Sequence, residues 1–221
     1  MQACRITATV LACQRGERML FAGLSFVLDA GEALQVQGSN GIGKSSLIRI
    51  LAGLLSPIAG SAECVGALGL LDENPALDPH LPLGSALQFW QRLDGPADNA
   101  ATRLGLGTLF DVPVRYLSTG QRKRAALARL IGQQAPIWLL DEPLNGLDMR
   151  GAALITEIVN EHCGNGGIAV IASHQPFALE GMQKLELSDY LPSPVGRDRG
   201  WGFSDGGVPP PQPLPTGEGH L

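Results

Sequence analysis

The chain has 221 residues and a formal net charge of -5, from 21 acidic and 16 Lys or Arg side chains. That length suits one domain able to bury a sizeable core. The acidic balance argues against a nucleic-acid binder, which shows a basic stripe. No stretch reaches the roughly 18 to 20 apolar residues that span a bilayer, so any membrane role is expected to come through a partner. Cys4, Cys13, Cys64 and Cys163 form no C-x-x-C pair and read as reduced thiols of a cytosolic protein. The first residues lead into alternation rather than a secretory apolar run.

Ile6, Ala8 and Val10 alternate with Thr7 and Thr9, and Leu24, Phe26 and Leu28 alternate in the same way. Both read as half-buried strands joined through a polar turn at Gln14-Arg15-Gly16-Glu17. A short strand from Ala33 to Gln37 then delivers the chain to Gly38-Ser39-Asn40-Gly41-Ile42-Gly43-Lys44-Ser45. This is the phosphate-cradling pattern G-x-x-x-x-G-K-[ST] between a strand and a helix, the context that confirms it. Its backbone N–H groups and the helix N-terminus bind phosphate oxygens. Lys44 would neutralise the β- and γ-phosphates, and Ser45 would hold Mg²⁺. The bland alternative is a glycine-rich turn with an exposed lysine. From Lys44 the spacing predicts a helix with Leu47, Ile48, Leu51 and Leu55 on one face, weakened at its end by Gly53 and Pro57.

Residues 75–113 change character: Pro75, Pro79, Pro82, Pro96 and Pro113 punctuate short helical segments such as 85–93. A helical lobe over about 75–116, inserted into a nucleotide-binding core, is expected. Ser118 suits an N-cap, and a helix follows from about Gln121 to Ile131 with Ala126, Leu127, Leu130 and Ile131 as its apolar spacing. Arg122, Lys123, Arg124 and Arg129 read as a solvated face. The apolar run Ile137–Leu140 ends in Asp141-Glu142, so Asp141 emerges at the strand's C-terminal edge beside the phosphate loop, placed to bind Mg²⁺. Glu142 is placed to polarise an attacking water, a poor nucleophile toward an anionic phosphorus. Two solvated acids capping a strand are the alternative. A further strand at Ile168–Ala172 leads to Ser173-His174-Gln175, and the whole reads as α/β with a mostly parallel sheet. In residues 191–221, seven Pro and seven Gly leave little to bury, and a disordered tail is expected.

The order of phosphate loop, Leu117-Ser118-Thr119-Gly120-Gln121 and Asp141-Glu142 resembles the ABC-type ATPases. The resemblance implies a P-loop core over 1–190 with a small antiparallel β lobe and the inserted helical lobe. It implies that two subunits dimerise head to tail, with Ser118, Thr119, Gly120 and Gln121 of each pointing at the other's γ-phosphate. His174 matches the family's switch histidine, which contacts that phosphate. Leu144-Asn145-Gly146-Leu147-Asp148 matches its D-loop, where Asp148 would help join the two active sites. Three features depart from the pattern. Arg15 stands where an adenine-stacking aromatic is usual and could stack by its guanidinium plane. Asn74 stands for the Q-loop glutamine that contacts Mg²⁺ and the transporter. The stretch before Leu71 is short, which implies a lost hairpin.

More specifically, 89–95, Asp111–Ser118 and Ala126–Leu130 resemble the ATP-binding subunits of bacterial cytochrome c maturation (haem exporter) systems, over about residues 3–190. That implies a peripheral homodimer on the cytoplasmic face of the inner membrane, using ATP and Mg²⁺. Its partners would be integral membrane subunits of the CcmB and CcmC type, and hydrolysis would drive haem delivery or release of a haem chaperone. No residue pattern identifies haem. Three other readings are a small-molecule P-loop kinase, a soluble non-transport ABC protein, and an exporter subunit with lipoprotein or drug cargo. The LSTGQ element and Glu142 count against the first; the second usually carries duplicated ATPase domains or a long coiled coil.

Overall fold

In a computed structural model, residues 4–94, 99–179 and 181–191 are described. Alternation near the N-terminus builds two long strands, β1 (Arg5–Arg15) and β2 (Arg18–Asp29), paired antiparallel. They run further toward each other than expected, leaving only Gly16-Glu17 as the turn. The register shifts between Ala8 and Leu11, where Val10 adopts φ 47° and points outward. This bulge corrects the expected inward place of Val10: Leu11 takes it, and the Val10 N–H is satisfied by Ser25 Oγ at 2.8 Å. β3 (Ala33–Gln37) belongs to a second sheet, and β4 (Ala59–Val65) returns to pair with β1.

The second sheet is parallel throughout. It has the order β5-β6-β7-β3-β8, with β5 Leu68–Leu71, β6 Ile137–Asp141, β7 Ile168–Ala172 and β8 Gln183–Glu186. β6 and β7 are buried at every position, as their unbroken apolar runs require of strands covered on both faces. One core lies between this sheet, the antiparallel sheet and α1 (Lys44–Leu51). The other fills the opposite face beneath α4 (Thr119–Gly132) and α5 (Met149–Gly164), and extends into α2 (Leu83–Asp94) and α3 (Ala100–Arg103) of the helical lobe.

α1 is shorter than its apolar spacing predicts. Gly53 at φ 71° ends it, and the Leu54 N–H returns to the Arg49 carbonyl at 2.8 Å in the manner of a Schellman cap. Leu55 therefore packs on the core from a turn. The basic side chains of α4 also depart from expectation. Only Arg122 is exposed; Lys123 is buried, Arg124 donates to the Leu104 carbonyl at 3.0 Å, and Arg129 lies 3.8 Å over the Trp90 ring. Among the described residues no helix is long and apolar enough to cross a membrane. The expected tail lies, beyond Leu191, outside the described residues.

Candidate nucleotide site

The C-terminal ends of β3, β6 and β7 sit side by side, which is where an open α/β sheet binds ligands. β3 hands the chain to the phosphate loop, β6 ends in Asp141-Glu142, and β7 leads to His174. The loop needs its glycines: Gly43 has φ 128°, and a Cβ there would press at 3.2 Å on Leu20 Cβ and the Phe21 ring. Lys44 is 6% exposed, and its Nζ donates to the Gly38 and Ser39 carbonyls at 2.9 and 3.3 Å. The ammonium thus closes the loop on itself and lies 3.7 Å from Glu142 Oε1. The other carboxylate oxygen, Oε2, is 2.9 Å from His174 Nδ1. Glu142 is consequently suspended between a lysine from β3's loop and a histidine from β7's. Its own φ is 47°, a left-handed conformation that costs an L-residue about 1–2 kcal/mol; such strain persists only where the surroundings impose it.

Asp141 is 6% exposed and its Oδ1 is buried without a hydrogen-bond partner. Burial raises its pKa; the nearby Ser45 hydroxyl opposes that and the Glu142 charge adds to it. An orphaned buried carboxylate oxygen beside a hydroxyl is a donor set that suits a hard, oxygen-seeking cation. The cleft in front, about 310 Å³, is lined by Arg15, Asn40, Gly41, Lys44, Ser45, Glu73, Glu142, Asn145 and His174. Arg15, at the end of β1, is therefore where a base could stack. Asn74 is not among the lining residues. It is exposed, its N–H turned back to Asp72 Oδ1 at 2.9 Å, and Glu73 is the residue this loop presents to the cleft. The short Asx turn at Asp72 sets that one-residue offset.

The pattern that describes the ABC transporter family matches residues 21–145. The chain belongs to the ABC transporter family. It is 57% identical over 192 residues, 87% of this chain and 100% of the relative, to the cytochrome c biogenesis ATP-binding export protein CcmA of Novosphingobium aromaticivorans. The protein of that name from Zymomonas mobilis is 47% identical over 190 residues, 85% of this chain and 86% of its own. A solved metal-chelate type ABC transporter in an inward-facing conformation superposes with a TM-score of 0.68 at 25% identity, covering 80% of this chain and 75% of that one.

The family's signature lies apart from the cleft. Ser118 caps α4 through a reciprocal box: Gln121 N–H donates to Ser118 Oγ at 3.2 Å, and Ser118 N–H to Gln121 Oε1 at 2.8 Å. Ser118, Gly120 and Gln121 line a second open concavity of about 420 Å³ with Gly146 and Asp148; Thr119 faces a different one. Gly120 is required there, because a Cβ would lie 2.8 Å from the Gly146 carbonyl. Asp148 caps α5, its Oδ1 accepting from Gly151 N–H at 2.8 Å. One ABC chain thus holds a phosphate loop and a signature that do not share a cavity.

Four residues near the site escaped the sequence reading. Glu73 lines the cleft from a loop without motif spacing that singles it out, and Asn145 from the segment that resembles the D-loop, where only Asp148 carried an expected role. Gln35 is fully buried in β3 and donates to the Gln175 carbonyl at 2.7 Å, holding the segment after His174. Lys123 is 8% exposed and donates from Nζ to the Glu142 carbonyl at 2.8 Å. Its signal was available: it precedes Leu127 and Leu130 by four and seven residues, on the buried stripe of α4.

Proposed function

We propose that this chain is the ATP-hydrolysing subunit of an ABC exporter complex serving cytochrome c biogenesis, acting as a homodimer on integral membrane subunits of the CcmB and CcmC type at the cytoplasmic face of the inner membrane. The observation that carries the enzymatic part is Glu142 held between Lys44 and His174 at the mouth of a phosphate loop. The pathway rests on the 57% identity to a cytochrome c biogenesis protein.

Loop amides and Lys44 bind the β- and γ-phosphates. Lys44 has its donors ready, since its present partners are the loop's own carbonyls. Ser45 and Asp141 would hold Mg²⁺, which when bound neutralises charge developing on the transferred phosphoryl group. Arg15 stacks against the base. Glu142 accepts the proton of the attacking water, and His174, bonded to the far carboxylate oxygen, fixes the carboxylate's rotation and faces the γ-phosphate. The capped N-terminus of α4 in a second copy, with Ser118, Gly120 and Gln121, supplies N–H donors to that phosphate from the other side. Asp148 braces the contact from the start of α5.

Deletion of the gene, followed by haem staining of c-type cytochromes, tests this reading. Covalent haem attachment should be lost while haem synthesis continues. The wild-type chain should restore it and Glu142→Gln should not. Normal c-type cytochromes in the deletion strain, with no second copy of the gene, would leave an exporter with other cargo.

A further inference from the structure

Glu142 is followed by Pro143. Proline removes the N–H from the peptide unit that joins them, so that unit has only the Glu142 carbonyl through which to be held. Two donors reach it: the Asn145 N–H at 3.3 Å and Lys123 Nζ at 2.8 Å. The first belongs to the same turn and moves with it. The second comes from α4, the helix that opens with the signature. On the other side of the residue, the Glu142 N–H donates to the Ala172 carbonyl of β7 at 2.8 Å. With both flanking peptide planes fixed, the direction of the Cα–Cβ bond is fixed too, at a φ that an L-residue does not adopt unaided.

Burying an ammonium is unfavourable unless it is paired. Burial lowers the Lys123 pKa, and Asp141, Glu73, Glu142 and Asp72 pull it back up. An apolar side chain of similar length would avoid that desolvation cost but could not donate to the Glu142 carbonyl. The ammonium is therefore explained by its target, not by packing.

We propose that Lys123 is a positioning residue for hydrolysis: it fixes the peptide after Glu142 and so aims the carboxylate at the attacking water. The inference rests on the reading of Glu142 as the base. It also gives the signature helix a second task. Ser118–Gln121 form its first turn and Lys123 follows on the same helix, so any shift of α4 relative to β6 carries the ammonium off the carbonyl. The aim of the base then depends on where the signature helix sits. Asp72 and Glu73 line a cavity of about 230 Å³ with Arg122, Lys123 and Asn145, which places the loop after β5 against the same ammonium.

The test uses the full-length chain with MgATP, comparing Lys123→Met, Lys123→Arg, Glu142→Gln and the Lys123→Met/Glu142→Gln pair. Misaiming a catalytic group costs about 10- to 100-fold, so Lys123→Met should lose kcat by that factor. Its KM, its ATP affinity measured without hydrolysis and its melting temperature should stay near wild type. Lys123→Arg, which can donate to the same carbonyl, should recover most of kcat. The pair should be no slower than Glu142→Gln alone, because the lysine acts through the glutamate. Wild-type kcat in Lys123→Met beside a slow Glu142→Gln overturns the role of the lysine alone. So does a pair slower by the full Lys123→Met factor, or a Lys123→Met that loses ATP affinity in step with kcat. A Glu142→Gln chain that hydrolyses normally overturns the assignment of the base, and this inference with it.

Discussion

Asp141 shows at the scale of one residue how a site trades stability for a ligand. Its Oδ1 is buried and unpartnered, and burial raises its pKa against the opposing pull of the Ser45 hydroxyl. A raised folded-state pKa means that the group contributes stability below its unfolded pKa and that this is lost as pH rises through the raised value. At neutral pH the ionised side chain is therefore a net cost to the nucleotide-free fold. Asp141→Asn should raise the melting temperature of the nucleotide-free protein by a few degrees, about 1 kcal/mol, while removing the extra stabilisation that MgATP gives over ATP with a chelator. Thermal melts at pH 7.5 in those conditions check both halves. A melting temperature below wild type without nucleotide would show that Asp141 is better satisfied than its surroundings indicate. Nothing in the order of residues warns of this tension. The apolar run before Asp141 is legible, but the missing partner on Oδ1 depends on how β6 sits between β5 and β7.

α5 has no motif beyond the aspartate that caps it; it packs through Ile155, Ile158 and Val159, and one histidine near its end adds a stacked contact. His162 stacks on Trp138 of β6, ring centroids 3.8 Å apart and planes 7° from parallel, with Nε2 3.3 Å from the Ile168 carbonyl. A Cβ at Gly167 would run into that ring, so the turn into β7 is shaped around it. Burial lowers the His162 pKa. Because the folded value is below the unfolded value of about 6.5, the neutral ring contributes stability above that pH, which is lost as pH falls through the lowered value. Urea denaturation at pH 7.5, 6.0 and 5.0 should show falling stability, and His162→Phe, which keeps a stacked ring, should flatten the fall. An unchanged slope would place the acid sensitivity elsewhere. Strands β3, β6 and β7 and helix α4 were legible because each has a dense apolar signal beside a motif. α5 and β8 were not: α5 buries only a narrow stripe, and β8 has four residues, one of them buried. The basic cluster on α4 was misread for a related reason, since residue type spoke for solvent while helical spacing spoke for the interior.

Across the whole molecule, the phosphate loop and the signature line separate concavities. The phosphate loop with its carboxylates opens into one concavity, and Ser118, Gly120 and Gln121 open into another with Asp148. Sequence order made both halves recognisable and the resemblance implied that they act across two copies; within one copy they line separate concavities, with α4 anchored by Arg129 on Trp90 and by Lys123 on Glu142. If a second copy completes each site, lesions in the two halves must complement in a defined way. Lys44→Ala removes the loop's charge-assisted contact, and Ser118→Arg blocks the signature. In either homodimer every site carries one lesion, so both should be inactive. A mixed dimer places the intact loop of one copy against the intact signature of the other, while the second site carries both lesions. Equal mixing gives about half mixed dimers by two-fold statistics, each with one sound site, so hydrolysis should return to about a quarter of wild type if one site suffices. Circular dichroism of each variant guards against simple unfolding, since the Ser118 cap contributes about 1 kcal/mol to α4. Were the signature to act within its own chain, no copy in the mixture would hold both sound halves, and mixing would restore nothing.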